Sequence, residues 1–121
     1  MPAAGACLLN LAFPTPEIRM LCECQMSAER EFGIEVAREL RARLADIREA
    51  STVLELLAGQ PQEIADGRHR CYEIRLPEGY RMVICANHDP LPLQEDPGRV
   101  DWSRVSRVKI TRIEKPKVPH G

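Results

Sequence analysis

The sequence predicts an α+β fold, in which an N-terminal strand and a helical hairpin pack on a small antiparallel sheet in the order βααβββ. Three observations carry that expectation. Across residues 34–50 apolar side chains recur at steps of three and four, at Ala37, Leu40, Leu44 and Ile47, the period of an amphipathic helix. Beyond residue 70 the period changes to two, with Tyr72, Ile74 and Leu76 alternating against Cys71, Glu73 and Arg75, as in a half-buried strand. The helical patterns also precede most of the strand patterns, which favours helices gathered on one face of an antiparallel sheet.

The first element is short. Leu8-Leu9-Asn10-Leu11-Ala12-Phe13 is apolar and stops at Pro14, so it reads as a strand entering the same sheet. Thr15-Pro16-Glu17 is a helix start: a threonine cap, a proline at the first helical position and a carboxylate in the first turn. That helix is expected to run to residue 32 and stop at Gly33, with Ile18, Leu21 and Cys22 on its inner face. The second helix, residues 34–50, carries Arg38, Glu39, Arg41, Arg43, Asp46 and Arg48 outward, an arginine-rich face that reads as solvated surface. Ser51 or Thr52 can cap a short third helix over residues 53–58, ended by Gly59 and Pro61. Pro77-Glu78-Gly79 turns the chain into a second strand, residues 80–86, whose Met82, Val83, Ile84 and Cys85 place it centrally in the sheet. Residues 89–99 hold three prolines and one glycine and read as a loop, which Trp102 anchors against the sheet. Residues 105–113 form the last strand, with Val108 and Ile110 inward.

At 121 residues, 44% hydrophobic and 29% charged, the chain has the makeup of one globular domain over 1–121, with 115–121 a flexible tail. No apolar run approaches the roughly 18 residues of a membrane span. The start lacks the basic segment of an export signal, so a cytoplasmic protein is expected. The cysteines, Cys7, Cys22, Cys24, Cys71 and Cys85, are odd in number, which with no export signal points to a reducing compartment and free thiols, not a disulfide framework. Cys22 and Cys24 lie two apart on the expected helix, whereas ligands on one helical face need three or four, so no metal is expected. The net charge of −1 hides an asymmetry. Residues 1–66 carry six arginines and no lysine against eleven carboxylates, a balance of −5; residues 67–121 carry eleven Lys/Arg against seven carboxylates, a balance of +4. A basic C-terminal half is compatible with a phosphate-bearing partner.

The order of elements, with the residues that fill it, resembles the RelE/ParE superfamily, specifically HigB-like toxins of type II toxin–antitoxin pairs. The resemblance covers residues 8–114. It rests on Phe13, Glu17 and Leu21-Cys22-Glu23, on Ala37 to Leu44, on Tyr80-Arg81-Met82-Val83-Ile84, and most specifically on Asp89-Pro90-Leu91-Pro92, Glu95-Asp96, Asp101-Trp102-Ser103-Arg104-Val105 and the strand through Ile113-Glu114. It implies a ribosome-associated mRNA endoribonuclease without metal or cofactor, and a cognate helix-turn-helix antitoxin of HigA type. The fold also accommodates two other readings: a RelE-like protein that binds its antitoxin with little or no nuclease activity, and a ParE-like gyrase inhibitor.

Metal-free RNA cleavage drives a 2′-hydroxyl onto its own 3′-phosphate. It needs a proton acceptor, a cation on the phosphate and a proton donor for the leaving 5′-oxygen. Arg81 is the foremost candidate and matches the arginine that binds phosphate in RelE-like toxins; the alternative is an arginine pairing Glu73 or Glu78 across the hairpin. Arg68, His69 and Arg70 stand where the family carries basic residues facing RNA, with His69 a candidate for proton transfer. Tyr80, Lys115 and Lys117 are candidate RNA contacts, and His120 a candidate catalytic residue. The tail departs from the family's Asp-Tyr-His type ending: no tyrosine follows Glu114, His120 comes late, and Ala65 stands where a lysine is common. His88 reads as a surface residue.

Overall fold

The computed structural model describes residues 8–66, 69–88, 92 and 99–116. In chain order it contains strand β1 (Asn10–Ala12), helices α1 (Pro16–Glu23), α2 (Gln25–Phe32) and α3 (Ile34–Glu49), then β2 (Gln62–Asp66), β3 (His69–Arg75), β4 (Arg81–Ala86) and β5 (Arg107–Glu114). The class is α+β as expected, but the order is βαααββββ.

Three elements differ from expectation. The helix begun by Thr15, whose Oγ1 accepts from the Ile18 N–H at 3.2 Å, breaks at Cys24. Cys24 is extended at φ −113° and ψ 110°, with its N–H closing α1 on Met20 and its carbonyl opening α2 toward Ala28. No proline or glycine marks the break. Strand β2 was not legible either, because Ile64 is its one large apolar residue; its definition comes from pairing Gln62 to Asp66 with Glu73 to His69. The expected third helix shrinks to one turn, Val53–Glu55. It gives way to Gly59, at φ +83°, where a Cβ would stand 2.5 Å from the Ile74 side chain and whose carbonyl accepts from the Arg75 N–H. Only glycine satisfies both demands.

The sheet order is β1-β5-β4-β3-β2. β1 enters the sheet as expected but runs parallel to β5, while the other three pairs are antiparallel, so the sheet is mixed. The helices cover one face. Val36, Ala37, Leu40, Leu44 and Ile47 of α3, all at most 1% exposed, join Ile74, Met82, Ile84, Val108 and Ile110 in the main core. Alternation along β4 sends Val83 and Cys85 to the second face, where they cluster with Cys71 and Ile64. Trp102 is buried, as expected, edge-on to Tyr72 and donating to Glu63 at 2.9 Å. Among the described residues no helix is long and apolar enough to cross a membrane.

The expectation of free thiols needs correction. Cys71 and Cys85 stand directly opposite in the β3–β4 register, with Cα atoms 4.3 Å apart, and form a disulfide. Linear spacing does not show that the hairpin's register brings them together. Cys22 and Cys24 remain free. The bridge closes a loop of 14-residue separation, so reduction is expected to lower the unfolding free energy by about 3 kcal/mol. Urea denaturation with and without a dithiol reductant measures this. The same reductant should leave Cys71→Ala/Cys85→Ala unchanged, whereas equal responses from both proteins would refute the prediction.

Candidate functional site

The turn after β3 sets the site. Leu76 and Tyr80 close it through the Leu76 N–H to the Tyr80 carbonyl at 2.9 Å, and β4 then begins at Arg81, whose register partners are Arg75 on β3 and Glu114 on β5. A register shift in β4–β5 at Val83/Ile84 aligns Arg112 with Val83 and Glu114 with Arg81. Arg75, Glu73, Arg81, Arg112 and Glu114 thus gather on the sheet's second face, at one end.

Arg81 is 20% exposed and held by two carboxylates. Its Nε and Nη2 donate to Glu114 Oε2 at 3.1 and 2.7 Å, and its Nη1 to Glu73 Oε2 at 3.3 Å. The Glu114 contact, opposed by partial burial, raises the guanidinium's pKa. Arg75 reaches Glu73 at 3.8 Å, and Arg112 reaches Glu114 at 3.6 Å. The chain of contacts is Arg75–Glu73–Arg81–Glu114–Arg112, three cations on two anions. Beside it lies a cleft of about 370 Å³, lined by Glu73, Arg75, Leu76, Gly79, Tyr80, Arg81 and Pro116. Tyr80 packs edge-on against Phe32 at 5.2 Å, and Lys115 Nζ sits 5.8 Å from the Tyr80 ring centre.

Arg81, Tyr80 and Lys115 are therefore brought together. Arg70 is exposed on β3, on the alternation that faces the helices with Tyr72 and Ile74. His69 opens β3, six residues from Arg75, about 20 Å along an extended strand, so it does not stand at the Arg81 end. Arg68, Lys117 and His120 lie outside the described residues. Glu114, Arg75 and Arg112 were missed by sequence reasoning. The alternation that puts Glu73 and Arg75 on one face was legible, but Arg112 and Glu114 take their phase from the β4–β5 irregularity, which no local pattern announces. His88 ties two strands together. Its Nε2 accepts from the Ser106 and Arg107 N–H groups at 3.0 and 3.1 Å, pinning the end of β4 to the start of β5.

Chemically, the arrangement offers a cationic cleft with a tyrosine wall and two carboxylates that an incoming anion must displace or share. Among the described residues no group of three His, Cys, Asp or Glu side chains gathers as metal ligands. No protein-family model matches this chain, no curated protein matches it, and no solved structure matches it.

Removing the Arg81 charge leaves two half-buried carboxylates short of a cation. Arg81→Met is expected to lower the unfolding free energy by about 1–3 kcal/mol. Adding Glu114→Gln to that variant should cost about 1 kcal/mol less than adding it to the unaltered protein. Urea denaturation of the four proteins measures the cycle; strictly additive costs would mean that the contact contributes nothing.

Proposed function

We propose that this chain is the toxin of a type II toxin–antitoxin pair, a RelE/HigB-like endoribonuclease that cleaves mRNA on the ribosome and is restrained by a helix-turn-helix antitoxin. The observation that carries the reading is the grouping of Arg75, Arg81 and Tyr80 around one cleft, with Arg112 joined to Arg81 through Glu114 and Lys115 over the Tyr80 ring. Arginines grip phosphate through paired donors, and a tyrosine beside them offers a ring for a base. In this reading an RNA phosphate takes the Arg81 fork from Glu114. The freed carboxylate, with Glu73, would accept the 2′-hydroxyl proton as that oxygen bonds to phosphorus, and the Lys115 ammonium beside Tyr80 would give a proton to the 5′-oxygen as its bond to phosphorus breaks. The sequence resemblance over residues 8–114 supports the same assignment.

One observation favours a second reading, a RelE-like protein that binds partners without cleaving RNA. All three Arg81 nitrogens already donate to carboxylates within the chain, a state in which the group is structural.

The test is a translating bacterial extract, with mRNA 5′ ends mapped by primer extension. The nuclease reading expects new ends inside translated codons, reduced about a hundredfold or more by Arg81→Ala, as removal of a phosphate-stabilising donor implies. A folded protein that binds an antitoxin yet generates no new ends would replace it with the binding reading. A variant ending after Pro116 reports whether the tail with Lys117 and His120 takes part.

A further inference from the structure

Helix α3 carries four arginines, and the fold treats them in two ways. Arg43 is half-buried between Glu39 at 2.8 Å and Asp46 at 3.0 Å. Arg38, Arg41 and Arg48 are exposed, and among the described residues none has a carboxylate within ion-pair distance. Arg41 donates instead to the Gln25 side chain at 2.7 Å. Positions 38, 41, 45 and 48 are separated by three, four and three residues and so form one stripe along the helix, with the small Ala45 between the arginines.

Beside this stripe the space between α1 and α3 is a groove of about 430 Å³, lined by Cys22, Glu23, Arg41, Leu44, Ala45 and Arg48. Its floor is apolar: Leu44 is 1% exposed and Cys22 7% exposed. Burial pushes the Cys22 thiol up to about 12, so it stays neutral. The one acid on the wall, Glu23, is engaged by Arg19 at 3.4 Å. The groove therefore combines an uncharged floor with two arginines on its rim that have no carboxylate partner among the described residues.

We propose that this groove docks an acidic amphipathic helix of a partner protein, which sets an apolar side chain over Ala45 and places carboxylates on Arg41 and Arg48. The spacing favours a helix. Arg41 and Arg48 are seven residues apart, about 10.5 Å along the axis, and carboxylates at i and i+7 of an aligned partner helix repeat at the same interval. Ala45 between them lets the two backbones approach. An RNA strand would also use the arginines, but its bases bind best by stacking on aromatic rings, and no aromatic side chain lines this groove. Rim ion pairs contribute little alone, so the inserted apolar side chain supplies the affinity and the arginines fix orientation. The site lies on the helical side of the sheet, away from Arg81, and does not depend on the nuclease reading.

Fluorescence anisotropy with a labelled synthetic helix tests it. The probe is a peptide of about 20 residues, long enough to hold a helix, with leucines on one face and glutamates on both flanks. Saturable binding is expected. It should weaken at least about tenfold on Arg41→Glu/Arg48→Glu, and likewise on Ala45→Trp, which fills the groove without changing charge. Arg81→Ala should bind as the unaltered protein does, and a lysine-for-glutamate peptide should not bind. Circular dichroism verifies that each variant is folded. Three results would overturn the proposal: no saturable binding, binding indifferent to Ala45→Trp, or a single-stranded RNA oligonucleotide that loses affinity on the arginine reversal while the peptide does not.

Discussion

Strand β4 is buried on both faces, and the rest of the molecule is arranged around that constraint. Met82 and Ile84 enter the core beneath the helices, and Val83 and Cys85 enter the smaller cluster on the second face. A strand with no solvent face belongs in the middle of its sheet, and β4 is third of five. Its only charged residue is Arg81, at the end where the strand leaves the core. A guanidinium at that boundary is partly desolvated, and needs carboxylates from both flanking strands. Glu73 and Glu114 are those carboxylates. The ion cluster is thus a consequence of the burial of β4.

The same boundary position makes the cluster usable. A fully buried ion pair is costly to open, and a fully exposed one is too weak to order a ligand. Arg81 lies between these limits, with Arg75 and Arg112 at the edges of the network and the cleft beside it. In the proposed reading, a phosphate entering there would exchange one anion for another and leave Arg81 paired throughout. The two sides of the protein then have separate chemistries: a mixed-charge cleft at one end of the sheet, and an arginine-rimmed apolar groove on the helices.

Much of this was legible in the sequence, where a single periodicity dominated. The α3 stripe, the centrality of β4, the turn at Pro77-Glu78-Gly79 and the anchoring of Trp102 follow from local patterns or side-chain chemistry. What escaped depends on pairing between distant segments. β2 has too little apolar content to declare itself and is defined by β3. The Cys71–Cys85 bridge follows from the hairpin register, and Glu114 reaches Arg81 through an irregularity in the β4–β5 pairing. The break at Cys24 has no local signature that we can name. Of the residues around the candidate cleft, Arg81, Tyr80 and Lys115 are named by the sequence reading, whereas the carboxylate that holds Arg81 most closely is not.

In the proposed mechanism Arg81 exchanges an internal carboxylate for an RNA phosphate. The most direct measurement of that exchange is the ¹H–¹⁵N spectrum of the arginine Nε–H groups, recorded with and without a 2′-O-methyl RNA oligonucleotide that cannot be cleaved. In the free protein the Arg81 Nε–H should give a protected, downfield signal that Glu114→Gln abolishes, and saturating RNA should move it. A signal present in the free protein but unchanged at saturating RNA would contradict the exchange and leave Arg81 as a structural tie between β3, β4 and β5.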